Sequence, residues 1–284
     1  MRRTKPDLHV HSRHSDGKAS IPELVRRAQA LGITHLAVTD HDTLAGSDEL
    51  MALGGAMRVF RGAELSLRDL PGLHLLVYGQ TPGSGIREQL RILAGRRENR
   101  ARAILAKLDD LSMPLQWEEL PVGESGVVGR PHIARAMVRR GYVTSVQEAF
   151  DRFLGEGKPA CVQPERLSIA EALSLARADG WIPVLAHPRE LELPDEQLAC
   201  LVEHWQRQGL RGLEVWHPSA AAEGFAPLER LARRLGLLVT GGSDDHQSDS
   251  LRHVSLGCMA DAWTSAEKDI RALESALQEG PQTT

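Results

Sequence analysis

The sequence reads as an α/β fold in which repeated β–α units build a parallel sheet, open or closed into a barrel, around one helical insertion. Three observations lead there. Strand-like and helix-like segments alternate from Asp7 to Tyr78 and again after Val162, and βα repeats set their strands side by side in parallel. Between about residues 84 and 158 helical patterns take over and no strand-like run appears. Nearly every strand-like run ends in His, Asp or Glu, and α/β barrels gather their chemistry at the C-terminal ends of the strands.

The elements follow in order. Asp7–His11 reads as a strand with a polar end. Ser20-Ile-Pro-Glu23 has the form of a capping box, with Pro22 tolerated in the first helical turn. Leu24, Val25, Ala28 and Leu31 keep helical spacing up to a stop at Gly32. Ile33–Thr39 is a strand running into Asp40-His41-Asp42, Asp48–Leu53 a helix, and Arg58–Leu67 and Leu73–Tyr78 two further strands. Ile86–Leu111 is a long basic helix carrying Arg87, Arg91, Arg96, Arg97, Arg100 and Arg102. Arg130–Arg140 and Val146–Phe153 are helices broken at Gly141 and Gly155. Alternation then resumes. Ser168-Ile-Ala-Glu171 opens a helix that Gly180 closes, and Trp181–Ala186 is a strand ending in His187-Pro188. Helices at Asp195–Gln208, Pro227–Leu235 and Ser265–Gln278 flank strands at Leu213–Trp216, before His217, and Leu237–Thr240, before Gly241-Gly-Ser-Asp-Asp-His246.

A chain of 284 residues suits one large α/β domain or a domain with an insertion. With 34 basic and 38 acidic residues the net charge is −4, which makes no case for nucleic-acid binding by bulk charge and leaves room for a local basic cleft. Hydrophobic content of 42% and charged content of 25% exclude disordered and collagen-like classes. Cys161, Cys200 and Cys258 are scattered without a CxxC, which points to a reducing compartment and away from disulfides or a thiolate zinc site. No apolar run reaches the ~18 residues of a membrane span, and MRRTKPDLHVHS lacks the apolar stretch of a secretory signal. The expectation is a cytoplasmic protein with no membrane partner.

Twelve histidines outnumber the eleven Phe, Trp and Tyr combined. His9 and His11 on a strand would share one face, because strand side chains alternate with period two. Asp16 follows in the loop of that first run, and Asp40, His41, Glu64, His74, His187, His217, Asp244 and His246 lie in or at the ends of other strand-like runs. Imidazoles with a carboxylate are the usual ligand set of a borderline divalent cation. So many ligands exceed the needs of one ion and suggest two or three, and the absence of cysteine favours Mn²⁺, Fe²⁺ or Zn²⁺.

DLHVHSRHSDG (Asp7–Gly17), TDHDT (Thr39–Thr43), GAE (Gly62–Glu64), AHP (Ala186–Pro188) and GSDDH (Gly242–His246) together resemble, in order and spacing, the motifs of the PHP (polymerase and histidinol phosphatase) family. The resemblance implies a distorted (β/α)7 barrel, spanning residues 1–85 and 160–284, with a trinuclear centre that hydrolyses phosphoesters. It implies that His9, His11, Glu64 and Asp244 hold one ion, that Glu64 bridges to a second completed by His74 and His187, and that Asp16, His41 and His246 hold a third. The cofactors implied are three divalent ions, Mn²⁺ first, with Fe²⁺ or Zn²⁺ as alternatives. Gly129-Arg-Pro-His-Ile-Ala-Arg135 and Gly157-Lys-Pro159 are similar to the insertion of the branch that includes 3′,5′-nucleoside bisphosphate phosphatases and the 5′-end-trimming ribonuclease RNase AM. There residues 86–159 would be a helical insertion covering the active site. Arg130, His132 and Lys158 would contact substrate, with Arg97 and Arg100 holding a second phosphate. The substrate implied is a nucleotide or short RNA, not double-stranded DNA. The pattern departs in three places: Arg189-Glu190 follows His187-Pro188 where Gly-Arg is common, so Arg189 as a substrate contact is one place out of register; Asp245 stands where Phe is usual; and His14 stands where a small or hydroxyl residue is more usual.

Other residues have blander readings. His35, His204 and His253 are ordinary structural or surface residues, His14 faces solvent, and Arg91, Arg96 and Arg102 form a solvated helix face. Asp40 orients a histidine, and His217 is either a substrate contact or a rim residue. In the reaction the resemblance implies, the ions supply the nucleophile, Arg130 and Lys158 stabilise charge on the phosphoryl oxygens, and His132 or His217 protonates the leaving alkoxide. Trp117 and Tyr142 are the candidates for a base-stacking platform, which would favour 5′→3′ trimming of RNA.

Overall fold

The computed structural model describes residues 3–55, 57–81, 83–120, 128–247 and 255–279, so His253 lies outside the described residues. The chain divides into two compact units, one of Met1–Leu90 with Leu167–Thr284 and the other of Arg91–Arg166.

The first unit is built on seven strands paired in sequence order: β1 (Pro6–Asp7), β2 (His35–Val38), β3 (Arg58–Ser66), β4 (His74–Gly79), β5 (Ile182–Leu185), β6 (Gly212–Trp216) and β7 (Leu238–Gly241). Six run parallel, while β4 opposes both neighbours. The all-parallel sheet expected from the β–α alternation is therefore corrected at one strand. The link from Ser66 to His74 is too short for a parallel crossover of about a dozen residues, so the chain turns back as a hairpin. The reversal sets His74, the first residue of β4, opposite Ser66 at the C-terminal end of β3.

The strand expected over Asp7–His11 is regular only at Pro6–Asp7. Beyond it the segment is bonded irregularly on both sides. Leu8 N–H donates to Gly241 O at 3.1 Å, Asp244 N–H to His9 O at 2.7 Å, His11 N–H to Asp245 O at 3.1 Å and Thr39 N–H to Val10 O at 2.8 Å. These bonds nearly close the sheet into a barrel. The approach requires glycine at 242, where a Cβ would lie 2.4 Å from the His9 backbone nitrogen.

The connecting helices are α1 (Ile21–Ala30), α2 (Ala45–Leu53), α3 (Ser84–Asp110), α4 (Arg130–Arg139), α5 (Val146–Ala149), α6 (Ile169–Ala178), α7 (Asp195–Gln208), α8 (Ala226–Arg234) and α9 (Ala266–Gln278). In α1 the apolar stripe Ile21, Leu24 and Ala28 is buried with Leu36, Val38 and Val10, as its 3.6-residue spacing requires. Ser168 and Glu171 form the expected reciprocal capping box, whereas Ser20 occupies the N-cap of α1 without a side-chain cap bond.

The second unit contains no strand among its described residues. It has its own core, in which Ile104 and Leu108 of α3, Ile133 and Met137 of α4, and Leu154 are fully buried. After α5 the chain continues as one π-helical turn, Phe150–Leu154, ending at Gly155.

Candidate metal centre

Every expected ligand type converges at the C-terminal end of the parallel strands. His9 and His11 lie on the irregular segment after β1, both completely buried, with ring centroids 5.2 Å apart. Asp16 follows in its loop, His41 comes after β2, Glu64 from β3, His74 from the start of β4, His187 from the end of β5, and Asp244 and His246 after β7.

Four atoms form the inner set. His9 Nε2 is 3.3 Å from Glu64 Oε2 and 3.4 Å from Asp244 Oδ1, and His11 Nε2 is 3.2 and 3.0 Å from the same two oxygens. All four atoms are buried and none makes a hydrogen bond. Buried polar atoms left in this state are costly. Their spacing suits a shared cation, since tetrahedral bonds of ~2.0–2.1 Å separate ligand atoms by about 3.3–3.4 Å. The other Glu64 oxygen, Oε1, is 2.9 Å from both His74 Nδ1 and His187 Nε2, which are 3.2 Å apart. His41 Nδ1 lies 3.1 Å from Glu64 Oε2. His246 Nε2 is 3.2 Å from Asp16 Oδ1, and His41 Nε2 is 3.8 Å from Asp16 Oδ2. Two four-residue groups, His9/His11/Glu64/Asp244 and His11/Asp16/His41/His246, therefore each present converging metal-ligating atoms.

The electrostatics ask for positive charge. Burial opposes ionisation of Glu64, but His41, His9 and His74 hold its carboxyl well below the usual range. Asp244 is held down similarly by His9, His11 and His217 against its burial. Burial alone would lower His11, yet Asp244 and Glu64 push it up to about 10. His41 goes the other way, to about 3, because burial and the neighbouring His11 charge outweigh Glu64. A divalent cation answers the same demand that protons on His9 and His11 answer here, and binding it releases those protons.

Strained backbone occurs at this end of the barrel, as it does at Ser112 and Glu192 elsewhere among the described residues. Asp42, His187 and Asp244 have φ of 50°, 24° and 56°. Non-glycine residues in that region cost of order 1–3 kcal/mol each and persist where surrounding bonds enforce them.

Several residues behave differently from expectation. Asp40 accepts hydrogen bonds from Ser12 N–H, Ser12 Oγ and Ser15 Oγ, each at 2.7 Å, so it shapes the His11–Asp16 loop and bonds no histidine. Arg189 does not point its charge at the centre: its guanidinium pairs with Asp195 at 2.5 Å and Glu223 at 3.0 Å beside α7 and α8. His14, expected to face solvent, is half-buried and pairs with Glu49 at 2.7 Å, while His35 stacks on Phe60 in keeping with a structural role. His217 does join the centre, with Nε2 3.6 Å from Asp244 Oδ2.

Asp245, one departure from the family pattern, is buried and accepts a hydrogen bond from Arg27 Nη2 of α1 at 2.9 Å. The pair ties α1 to the loop carrying Asp244 and His246. Arg27 is partly exposed and Asp245 also accepts the Gln247 N–H, so Arg27→Met should lower the unfolding free energy by about 1–2 kcal/mol. Adding Asp245→Phe should recover most of that loss in urea denaturation at fixed metal concentration.

Sequence reasoning missed Glu214. It is completely buried in β6, with its carboxylate oxygens 3.0 and 3.2 Å from His9 Nδ1, and it accepts the His187 backbone N–H at 2.7 Å. A lone carboxylate inside the apolar run Gly212–Trp216 was the available signal.

The remaining expected contacts lie in the second unit. Arg100 and Arg130 lie near one another with Arg97 and Arg166, and burial together with Arg130, Arg166 and Arg97 takes the Arg100 guanidinium down to about 10. Arg100 Nη2 is buried without a hydrogen bond. Arg166 was missed because it lies far along the chain from the arginines of α3. His132 sits at the start of α4 and accepts the Gly129 N–H on Nδ1 at 3.0 Å. Lys158 is exposed. Trp117 lies under Arg102 and Tyr142 bonds Pro114 O, both partly buried against this unit's core. Arg96 pairs with Glu165 and Arg102 with Glu98, in keeping with a solvated face. Among the described residues no helix is long and apolar enough to cross a membrane.

Residues 7–107 match the PHP domain. The chain is 34% identical over 247 residues to a 5′-3′ exoribonuclease of Haemophilus influenzae, covering 85% of this chain and 90% of the relative. It is 29% identical to a 3′,5′-nucleoside bisphosphate phosphatase of Chromobacterium violaceum, covering 84% of this chain and 86% of that one. A Bifidobacterium adolescentis structure classed as a metal-dependent phosphoesterase superposes with a TM-score of 0.73 at 27% identity, over 98% of this chain and 97% of its own. With the complete histidine–carboxylate constellation at the mouth of its barrel, this chain belongs to the PHP family.

Proposed function

We propose that the protein is a metal-dependent phosphoesterase that hydrolyses phosphate monoesters of nucleotides such as 3′,5′-nucleoside bisphosphates. The observation that carries this reading is the inner set of four buried, unbonded ligand atoms at 3.0–3.4 Å. His9, His11, Glu64 and Asp244 would hold one cation, Glu64 with His74 and His187 a second, and Asp16, His41 and His246 a third. Cations bound there supply Lewis acidity to the phosphoryl group and a nucleophile from water at neutral pH.

The chain's own residues do the rest. His217 is suited to be the general acid. Its Nδ1 lies 2.8 Å from Ser219 Oγ and 3.1 Å from the Ser219 backbone nitrogen, which orient the ring. Its Nε2 is buried, makes no hydrogen bond, and lies on the Asp244 side. In the imidazolium form, whose Nδ1–H has Ser219 Oγ 2.8 Å away as acceptor, the Nε2 proton can pass to a leaving alkoxide and leave the ring neutral. Arg97, Arg100, Arg130 and Arg166 concentrate positive charge in the helical unit, and guanidinium forks match phosphate oxygens bidentately. Lys158 and His132 are further phosphate contacts in this reading.

A second reading, 5′→3′ trimming of short 5′-phosphorylated RNA, is favoured by the likeness to the Haemophilus exoribonuclease. It uses the same chemistry with a different leaving group. One assay separates the two: phosphate release from 3′,5′-adenosine bisphosphate with Mn²⁺, beside mononucleotide release from a 5′-phosphorylated short RNA. Fast phosphate release with little RNA degradation is the expected result. Stepwise mononucleotide release would establish the exonuclease, and silence on both with metal bound would overturn the nucleotide assignment.

A further inference from the structure

We infer that Glu214 is a positioning residue that sets the ligands of two different cations at once, fixing the ring of His9 and the backbone of His187. The inference rests on the reading of the barrel mouth as a cation centre.

Glu214 is completely buried on β6 and faces two donors. Its oxygens lie 3.0 and 3.2 Å from His9 Nδ1. A neutral imidazole carries one N–H. A carboxylate behind Nδ1 holds the proton there and leaves the Nε2 lone pair facing Glu64 and Asp244. Its Oε2 also accepts the backbone N–H of His187 at 2.7 Å. His187 has φ 24° and ψ 60°, a conformation that a non-glycine residue keeps only under restraint. That backbone aims His187 Nε2 at Glu64 Oε1, 2.9 Å away. One carboxylate therefore orders a ligand of the inner set and a ligand on the opposite Glu64 oxygen.

His9, Glu214 and His217 also lie close enough to resemble a cation site of their own. With its Nδ1 proton held by Glu214, His9 has no lone pair to offer a cation in that space.

Glutamine at this position tests the assignment: with its oxygen at the Oε2 place it keeps the His187 N–H but sets its NH₂ at the Oε1 place, 3.0 Å from His9 Nδ1, and turned over it loses the His187 N–H. Glu214→Gln is expected to weaken Zn²⁺ affinity 10- to 100-fold in competition with a chelator, with the metal-free proteins giving superimposable circular dichroism. In zinc-loaded wild type labelled with ¹⁵N-histidine, His9 is expected to carry its proton on Nδ1 with Nε2 metal-bound. The opposite tautomer would overturn the proposal whether or not the variant folds. Wild-type affinity in Glu214→Gln would overturn it while leaving the cation centre standing. Failure of the wild type to bind Zn²⁺ at all would bring down both together.

Discussion

Glu64→Gln is expected to abolish phosphoester hydrolysis and to strip metal from more than one position. Both oxygens of Glu64 are in use: Oε2 faces His9, His11 and His41, and Oε1 faces His74 and His187. An amide keeps the shape, loses the negative charge and offers one acceptor in place of two. It also turns an NH₂ donor toward imidazoles. The loss in kcat should be on the order of 1,000-fold or more, equivalent to about 4 kcal/mol of transition-state stabilisation. Metal content measured on the same preparation should fall by more than one ion per chain. Loss of activity at full occupancy would assign Glu64 a role other than bridging ligand.

His217→Gln should give the second largest effect, and its size should depend on the leaving group. If Nε2–H protonates the departing oxygen, an alkoxide leaving group needs it and 4-nitrophenolate does not. The expected loss is about 100- to 1,000-fold on a nucleoside phosphate and much smaller on 4-nitrophenyl phosphate, with metal content unchanged. An equal loss on both substrates would show that His217 binds metal or positions Asp244.

The main lines of the fold and the clustering of histidines and carboxylates were legible in the sequence for physical reasons. α7 runs over Asp195–Gln208 as read, because its acidic first turn and the Gly209 stop mark both ends. His9 and His11 share a face because alternation survives the irregular pairing. What escaped the sequence depends on contacts across the barrel. The reversal of β4 follows from a hairpin whose length matters more than its composition. Glu214 occupies an apolar strand and its partners arrive from β1 and β5. Asp245 looked like a defect in a motif until Arg27 of α1 supplied its counter-charge. Asp40 turned out to shape a loop because Ser12 and Ser15 reach it before any imidazole does.

The most direct test of the central claim is metal stoichiometry against activity. The protein would be stripped with chelator, titrated with Mn²⁺, and followed by plasma mass spectrometry and by hydrolysis of 4-nitrophenyl phosphate. The account predicts no hydrolysis without metal, full activity once two to three ions are bound per chain, and loss of both in Asp244→Asn with His246→Ala. Hydrolysis by the stripped protein, or wild-type activity and occupancy in that double variant, would contradict it.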